Sequence, residues 1–359
     1  MDGGRLLGQG VYGCAFTPTL YCMDKDGKME KTVKEGMVGK ISKADPSTTN
    51  EWGISQLIRT FPEYKKYYLI PEEYCYVAPK KDQKEQDKEK CDPWKSEKKG
   101  DLWIQLTMPL GGRTIVNTPA NVQNVRLWHL GSHLLEATTL LLVNGLVHAD
   151  LHINNILMDS PTQCRIIDFG KAWSAQNITS QKVGQIMDRF QPAIFHQTPE
   201  QSVLSGLLDA RLAKKNPDYE SLCAKILREK KDLFGPMEKA LNMPVGQMYN
   251  ELHNFTQTSN SIKKEDYVGA YKYYWNKVDA WAVGVAFIIL YSQLIMDPMY
   301  GKALEETTYR QAMLKVMRGL LRTDPALRMD TAQALQIWNP ESAVLRNPEV
   351  KKWLSLVGK

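Results

Sequence analysis

The segment Val147-His148-Ala149-Asp150-Leu151-His152-Ile153-Asn154-Asn155-Ile156-Leu157, followed by Ile167-Asp168-Phe169-Gly170, is the part of this chain that decides its fold. It has the form H-x-D-x-x-x-x-N and then D-F-G, with apolar residues typical of strands on both sides. Transfer of a phosphoryl group from ATP needs a carboxylate that orients the attacking hydroxyl, and it needs oxygen ligands that hold Mg²⁺ against the phosphates. This pattern supplies both on two successive strand-to-loop turns, with Asp150 as the base and Asn155 and Asp168 as the metal ligands. The structural alternative is a pair of Asp- and Asn-rich β-turns, but six fixed positions rarely coincide by chance.

A glycine-rich stretch near the start of the chain fits the same chemistry. Residues 7–16 are Leu-Gly-Gln-Gly-Val-Tyr-Gly-Cys-Ala-Phe, so the pattern G-x-G-x-x-G lies between two apolar stretches. Such a hairpin folds its backbone over the ATP phosphates, and glycine is needed because a Cβ would keep the main chain away from them. An ordinary glycine-rich hairpin or a dinucleotide-binding fingerprint is the alternative, and the absence of a long helix directly afterwards disfavours the second. The predicted nucleotide-binding residues of this hairpin are Gly8, Gln9, Gly10, Val11, Tyr12 and Gly13.

The next predicted element is a strand that carries a lysine. Residues 36–41 are this strand, and Lys40 is the candidate for the contact with the α- and β-phosphates. Lys43 competes with it only if a bulge intervenes, because side chains alternate between the two faces of a strand. A helix-start signal at residues 47–50 precedes Glu51, which can then pair with Lys40 and hold it in place. An acidic residue in a first helical turn is also explained by the helix dipole alone.

Together these motifs resemble the eukaryotic protein kinase family of the Ser/Thr type, and the resemblance covers nearly the whole chain. Residues 279–284, Asp-Ala-Trp-Ala-Val-Gly, match the family's D-x-W-x-x-G helix, whose aspartate braces the catalytic loop from behind. Residues 324–328, Asp-Pro-Ala-Leu-Arg, match its D-P-x-x-R pattern, whose arginine pairs with the glutamate of an A-P-E tripeptide. Thr198-Pro199-Glu200 is the best candidate for that tripeptide, although Pro followed by Glu is also a common helix start. The resemblance implies an α+β protein with a bilobal protein-kinase-like fold, a β-rich N-lobe and a mainly helical C-lobe.

The resemblance also implies where the lobes lie. The N-lobe would cover residues 1–106, and the hinge and C-lobe would cover residues 107–359. Leu106 would be the gatekeeper of the nucleotide pocket, while Thr107, Met108 and Pro109 would lend backbone groups to adenine. Charged residues dominate an N-lobe insert at about 79–100, which we expect to be a mobile surface loop without a core. A second insert, at about 201–270, lies near where protein substrates dock in this family, so it either has a substrate or partner role or is structural padding.

Two positions depart from the family's pattern. Ala149 replaces the arginine that normally precedes the catalytic aspartate, which predicts activity that does not depend on phosphorylation of the 171–197 segment. His152 stands where Ser/Thr kinases have lysine, and the resulting D-L-H-x-x-N form resembles the aminoglycoside and other small-molecule phosphotransferases. His152 could donate a hydrogen bond to the γ-phosphate or to the acceptor, or it could be a packing histidine. His148 is expected to orient the loop.

Composition restricts the partners and the setting. The 359 residues carry a mild net charge of +6 spread along the sequence, so we predict no nucleic-acid binding. The six cysteines include no C-x-x-C pair, which predicts reduced cytosolic thiols and neither zinc sites nor a disulfide framework. The apolar run from Trp281 to Ile295 is shorter than a membrane span, so we expect a buried central helix and no membrane association. The predicted location is the cytoplasm.

A narrower resemblance lies at the start of the chain. The pattern G-x-Y-G-C-x-F-x-P-x-L-x-C, from Gly10 to Cys22, is similar to the opening of protein kinases encoded by large nucleocytoplasmic DNA viruses. This resemblance implies a setting in the cytoplasm of an infected cell or in the virion, with viral or host proteins as substrates.

Three functions from different classes remain open on the sequence. A Ser/Thr protein kinase that uses ATP and Mg²⁺ is favoured by the motifs at 279–284 and 324–328. A small-molecule kinase is favoured by D-L-H-x-x-N and disfavoured by the same two motifs. A non-catalytic pseudokinase acting as a binding module is disfavoured because Lys40, Asp150, Asn155 and Asp168 are all present. The sequence leaves the oligomeric state open.

Overall fold

The computed structural model describes residues 5–10, 13–83, 88–95, 98, 100–119, 125–186, 190–216, 218–297, 299 and 309–357. It shows a mixed α+β protein, with an antiparallel sheet in the N-terminal region and helices through most of the C-terminal part. Contacts divide the chain into two compact units. The first comprises Met1–Gly112 and Ile167–Ala172, and the second comprises Arg113–Ile166 and Trp173–Lys359.

The division differs from the predicted lobe boundary at residue 106 in two respects. A central strand runs without interruption from Trp103 to Pro109, so the first unit keeps the whole strand and ends at Gly112. Residues 167–172, which contain D-F-G, also belong to the first unit although the sequence placed them in the second. Asn50 of the first unit donates hydrogen bonds to the Gly170 and Ala172 carbonyls and so joins this segment to the first unit.

The first unit is built on a seven-stranded sheet in which every pair of neighbours is antiparallel. The strands are β1 (Arg5–Gln9), β2 (Gly13–Thr17), β3 (Cys22–Met23), β4 (Met29–Glu30), β5 (Met37–Lys43), β6 (Glu73–Val77) and β7 (Trp103–Pro109). Their spatial order is β1-β2-β5-β7-β6-β3-β4. The helices of this unit are α1 (Pro46–Ile58), α2 (Tyr64–Tyr67) and α3 (Asp92–Lys95).

Strand register sorts the side chains onto two faces. Lys40 lies opposite Ala15 on β2 and opposite Leu106 on β7, so these three side chains share one face. Ile41 lies opposite Cys14 and Gln105, which places these side chains on the other face. The face that carries Lys40 is therefore separated by the sheet from the face that carries Cys14.

The charged insert at 79–100 contains a buried element, so the expectation of a surface loop without a core is wrong for residues 91–95. Cys91 and Trp94 are 0% and 1% exposed, and they pack in one cluster with Phe16 and Trp103 on the Cys14 face of the sheet. Because lysines and glutamates are abundant in the insert, its composition did not indicate that it contains two core side chains at helical spacing. The insert therefore covers this face of the sheet.

Two disulfides correct the expectation of reduced thiols. Cys14 bonds Cys91 and Cys22 bonds Cys75, with Cα atoms 6.0 Å and 5.9 Å apart. The partners are 77 and 53 residues apart in sequence, so spacing carried no signal and only the sheet topology brings them together. Disulfides persist in oxidising environments. The cysteines therefore no longer support the cytoplasmic location, which stays a prediction.

The second unit is mainly helical. Its helices are α4 (Leu127–Val143), α5 (Ser180–Ile186), α6 (Pro199–Leu212), α7 (Tyr219–Glu229), α8 (Lys231–Leu241), α9 (Val245–Thr258), α10 (Asn260–Lys263), α11 (Tyr267–Tyr274), α12 (Val278–Leu294), α13 (Tyr309–Leu320), α14 (Thr331–Trp338) and α15 (Pro348–Val357). Its short strands are β8 (Arg113–Thr114), β9 (Leu146–Val147), β10 (Ile156–Ser160), β11 (Gln163–Ile166) and β12 (Trp173–Ser174), paired as β11-β10-β8 and β12-β9. The predicted catalytic loop connects β9 to β10.

Helix α12 is the buried central helix that the sequence predicted. Nearly all its side chains are buried, and a Cβ added at Gly284 would lie 2.9 Å from the Leu320 Cβ, so glycine allows α13 to approach closely. The stretch Tyr267–Leu294 is long and apolar enough to span a membrane, because an 18-residue window within it has a mean hydropathy of 1.3, but 78% of that window is buried in the protein. Core helices of folded proteins commonly have this composition.

A buried ion pair joins two distant segments of the second unit. The Arg328 guanidinium donates to both carboxylate oxygens of Glu200, at 2.7 Å and 2.8 Å, as the motif predicted. Glu200 lies in the first turn of α6, which Thr198 caps. The tripeptide Thr198-Pro199-Glu200 is therefore a helix start, and its glutamate is also one partner of the ion pair. The insert at 201–270 then folds as helices whose apolar faces supply buried side chains to the same unit.

Loss of the Cys14–Cys91 disulfide should lower the free energy of unfolding by roughly 2–5 kcal/mol, because the bond closes a long loop of the unfolded chain. The variants Cys14→Ser, Cys91→Ser and the double variant should be destabilised equally in denaturant titrations, since each removes the same bond. Alkylation of the unreduced, unfolded wild type should modify only Cys164 and Cys223, the two free cysteines. Modification of all the cysteines would contradict the pairing.

Candidate active site

Lys40 is held between two carboxylates in the first unit. Its Nζ lies 2.7 Å from the Glu51 Oε2 and 2.8 Å from the Asp168 Oδ1. The predicted pairing of Lys40 with Glu51 is therefore present. Helix α1 begins at Pro46 after an Asp45 cap, earlier than predicted, so Glu51 lies in the second turn and the helix dipole does not account for it.

The charges around Lys40 keep it protonated. Burial opposes the charge of this ammonium group, but Glu51 and Asp168 outweigh burial and raise the pKa of Lys40 above its ordinary value. The competitor Lys43 instead makes a partly exposed ion pair with Asp101, 2.8 Å away. Lys40 is thus a fixed cation on the sheet face that the motif assigns to the phosphates.

The D-F-G segment is anchored on the first unit by a residue that the sequence reasoning missed. The Asn50 Nδ2 donates to the carbonyl oxygens of Gly170 and Ala172, at 3.0 Å and 2.8 Å. Phe169 is buried and makes an edge contact with Tyr68, with ring centroids 5.9 Å apart. Asn50 precedes Glu51 in the sequence, but no pattern links it to residues more than a hundred positions later.

The glycine hairpin is closed by a hydrogen bond from the Gly10 N–H to the Gly13 carbonyl, 2.9 Å long. A Cβ at Gly13 would lie 2.0 Å from the Ile41 carbonyl oxygen, so only glycine allows β2 to approach β5 here. A Cβ at Gly8 or Gly10 would meet nothing within 4 Å, so the backbone there borders open space. The Gln9 side chain is engaged with Asp92 of the insert. The predicted contacts at Val11 and Tyr12 lie outside the described residues.

Strand β7 places the predicted gatekeeper and adenine-binding residues. Leu106 is fully buried on the Lys40 face. The Thr107 carbonyl accepts a hydrogen bond from the Glu72 N–H at 2.7 Å, and strand alternation directs the Met108 backbone groups toward β5. Pro109 has no N–H. The contact of these residues with adenine stays a prediction.

In the second unit, Asp279 braces the predicted catalytic loop. Its buried carboxylate accepts hydrogen bonds from the His148 N–H at 2.7 Å and from the Ala149 N–H at 3.1 Å. Ala149 has a φ of +63°, a left-handed conformation that costs a residue with a Cβ about 1–2 kcal/mol. Burial raises the pKa of Asp279, while His148 and the two N–H donors oppose the rise. The two hydrogen bonds hold the loop in this uncommon conformation.

The same loop positions the predicted base and one metal ligand. The Asn155 Nδ2 donates to the Asp150 carbonyl at 2.9 Å, which assigns the donor end of this amide. The His148 Nδ1 accepts from the Asp150 N–H at 3.3 Å, which fits the expected orienting role. The His152 Nδ1 accepts from the Asn154 N–H at 3.3 Å, so the neutral ring carries its proton on Nε2.

His196 contacts the predicted base, and the sequence reasoning did not identify it. The His196 Nε2 lies 3.0 Å from the Asp150 Oδ1, and its ring centroid is 4.8 Å from that of His152. The backbone that carries His196 is fixed from two sides: the Trp281 Nε1 donates to the Phe195 carbonyl at 2.8 Å, and the buried Lys230 donates to the Ile194 carbonyl. The segment before Thr198 has no periodicity or motif from which this contact could have been found.

The predicted magnesium ligands fit the metal in their donor chemistry. Mg²⁺ prefers oxygen donors and usually takes one or two protein carboxylates together with phosphate oxygens and water. Asp168 offers a carboxylate whose side chain is 40% exposed, and Asn155 offers an amide oxygen. Across the described parts of the chain, no group of three or more His, Cys, Asp or Glu side chains forms a metal cluster. Each of the two residues therefore offers a donor of the type that Mg²⁺ prefers.

Lys230 should make stability depend on pH. Burial lowers the pKa of Lys230 to about 7, against an opposing effect of Glu200. Above that value the unfolded chain binds a proton that the folded protein does not, so the free energy of unfolding should rise from pH 7 to pH ~9.5, by up to roughly 1.4 kcal/mol per pH unit. Denaturant titrations should show that Lys230→Met removes this rise, whereas Lys231→Met, at the adjacent exposed lysine, retains it. Equal slopes in wild type and Lys230→Met would contradict the assignment.

Comparison with known proteins adds no family to this description. No protein-family model matches the chain, and no curated protein sequence matches it. A proposal about its chemistry therefore has to rest on the contacts of Lys40, Asp168, Asp150 and Asn155.

Proposed function

We propose that this chain is an ATP-dependent Ser/Thr protein kinase with a bilobal protein-kinase-like fold. The observation that carries the proposal is Lys40, held between Glu51 and Asp168 at 2.7 Å and 2.8 Å. This arrangement joins a strand lysine, a helix glutamate and the aspartate of D-F-G, the three charged groups that nucleotide binding requires in protein kinases. A purely structural ion pair would need no second carboxylate.

Each group has a role in phosphoryl transfer. The Lys40 ammonium would neutralise the α- and β-phosphates of ATP, and the oxygens of Asp168 and Asn155 would hold Mg²⁺. Bound Mg²⁺ would neutralise charge on the β- and γ-phosphates. Asp150 would orient the acceptor hydroxyl and take its proton. The two sets of residues belong to different units of the chain, and the proposed reaction needs both.

Contacts in the second unit favour a protein kinase over the alternatives. Asp279 and the pair Glu200–Arg328 form the interactions that the resemblance assigns to protein kinases. His152 keeps a small-molecule kinase as the second candidate, because this histidine replaces the lysine of Ser/Thr kinases. A pseudokinase is disfavoured, since Lys40 and Asp150 are both present and are held by contacts with other side chains. Under the narrower resemblance, the substrates would be viral or host proteins.

The proposal predicts that Asp150→Asn greatly slows transfer of labelled γ-phosphate from Mg-ATP to protein Ser or Thr. The loss should be roughly 100-fold or more, because the hydroxyl loses its base, while ATP affinity should change little because Lys40 and Asp168 are untouched. Asp159→Asn is the matched control, since Asp159 pairs with Arg165 on β10 and β11 and takes no part in the reaction.

Three outcomes would count against the proposal. Undiminished transfer by Asp150→Asn would remove Asp150 as the base. Labelling of aminoglycosides with no labelling of proteins would favour the small-molecule kinase. ATP binding with no transfer to any acceptor would favour the pseudokinase.

A further inference from the structure

The glycine hairpin, which joins β1 to β2, begins at the edge of the first unit's sheet. Its first strand, β1, is the end strand of the described sheet, with β2 as its neighbour. Most side chains of β1 are exposed, and Gly8 and Gly10 have no Cβ with which to pack. Glycine also loses more conformational freedom on ordering than any other residue. A hairpin of this kind is well ordered only when a further element fixes it.

Two consecutive residues of the charged insert hold this hairpin. Cys91 forms its disulfide with Cys14 of β2. The next residue, Asp92, accepts a hydrogen bond from the Gln9 Nε2 and donates its backbone N–H to the Gln9 Oε1, both at 3.1 Å. Gln9 is the last residue of β1, so each strand of the hairpin is attached to the insert.

The two attachments lie on one face of the hairpin. Gln9 is directly opposite Cys14 in the register of β1 and β2, so their side chains point to the same side. That side is the face away from Lys40, because the partner of Cys14 on β5 is Ile41, the residue after Lys40. The insert therefore contacts the hairpin from the side opposite the predicted phosphate site.

The insert can support the hairpin because it is itself anchored in the core of the first unit. Cys91 and Trp94 are both buried. The Trp94 ring packs with the rings of Phe16 and Trp103, with centroids 6.3 Å and 6.2 Å away. The disulfide at Cys91 keeps the adjacent Asp92 close to the hairpin, so the hydrogen bonds with Gln9 form at a high effective concentration. The covalent bond and the hydrogen bonds therefore support each other.

We propose that Cys91 and Asp92 form a clamp that fixes the glycine hairpin before ATP binds, which makes Asp92 a positioning residue for the nucleotide. The inference rests on the proposed kinase function and goes beyond it by giving the charged insert a part in nucleotide binding. A site that is ordered in advance loses less of its binding free energy to the ordering of its own chain. If only a fraction of the molecules holds the hairpin in place, the apparent affinity for ATP falls by that fraction. The clamp therefore acts on the affinity for ATP.

The first arm of the test removes the side-chain hydrogen bond in the full chain. Asp92→Ala should bind Mg-ATP about 3-fold or more weakly in calorimetry, with a matching rise in KM for ATP and little change in kcat. Asp92→Asn should keep the wild-type affinity, because its amide oxygen can still accept from Gln9 although the ion pair with Lys95 is lost. Asp82→Ala, at an exposed aspartate near the start of the same insert, is the matched control and should bind ATP like wild type.

The second arm compares the two disulfides of the first unit. Cys91→Ser breaks the bond to the hairpin, whereas Cys75→Ser breaks the bond between Cys22 and Cys75, which joins β3 to β6. Both variants should be destabilised, but only Cys91→Ser should bind Mg-ATP about 10-fold or more weakly. Without nucleotide, only Cys91→Ser should exchange the backbone amide hydrogens of residues 5–10 and 13–17 faster than wild type.

The outcomes separate the clamp from the kinase proposal. Wild-type ATP affinity in Asp92→Ala, or affinity lowered equally in Asp92→Ala and Asp92→Asn, would overturn the role of the hydrogen bond. Equal loss of ATP affinity in Cys91→Ser and Cys75→Ser would overturn the clamp, because the effect would then follow stability alone. Either result leaves the kinase proposal standing, whereas wild type that does not bind Mg-ATP would overturn both. If Cys91→Ser does not fold, the Asp92 variants decide alone.

Discussion

The hydrogen bonds from the His148 and Ala149 N–H groups to the buried Asp279 carboxylate are the interaction on which the second unit's site depends. They join the most buried helix to the loop that carries Asp150, and they hold Ala149 in its left-handed conformation. A carboxylate inside the protein is costly unless hydrogen bonds satisfy it, so the loop and the aspartate stabilise each other. Without this brace, the left-handed turn at Ala149 would relax and Asp150 would lose its orientation.

The helix that carries Asp279 also acts on the surroundings of Asp150 through Trp281. Trp281, two residues after Asp279, holds the Phe195 carbonyl, and the adjacent His196 then contacts Asp150. Lys230, which belongs to the insert at 201–270, holds the neighbouring Ile194 carbonyl. The sequence left two roles open for this insert, a substrate or partner role and structural padding. The structure gives it a definite contribution, because Lys230 supports the segment that carries His196.

The sequence predicted those parts of the site whose spacing is set by one element or one motif. The strand that carries Lys40 and the helix that carries Glu51 are of this kind. The pair Glu200–Arg328 spans 128 residues and was predicted from the resemblance to protein kinases. The missed features depend on residues that lie far apart in sequence and carry no periodic signal. Asn50, His196 and the pair Cys14–Cys91 acquire their partners only when the chain folds. Charge composition also misled the prediction for residues 91–95, because two buried side chains decide their packing.

Phosphoryl transfer and ATP binding, measured in wild type and Asp279→Asn, test whether the Asp279 carboxylate orients the base Asp150. Asparagine has nearly the same size, but the two loop N–H groups bond different oxygens of Asp279, so one of them would face an NH₂ group, which donates and does not accept. We expect a folded protein that still binds ATP through Lys40 and Asp168 but transfers phosphate at least about 10-fold more slowly, because Asp150 loses its orientation. Wild-type transfer rates in folded Asp279→Asn would contradict this expectation.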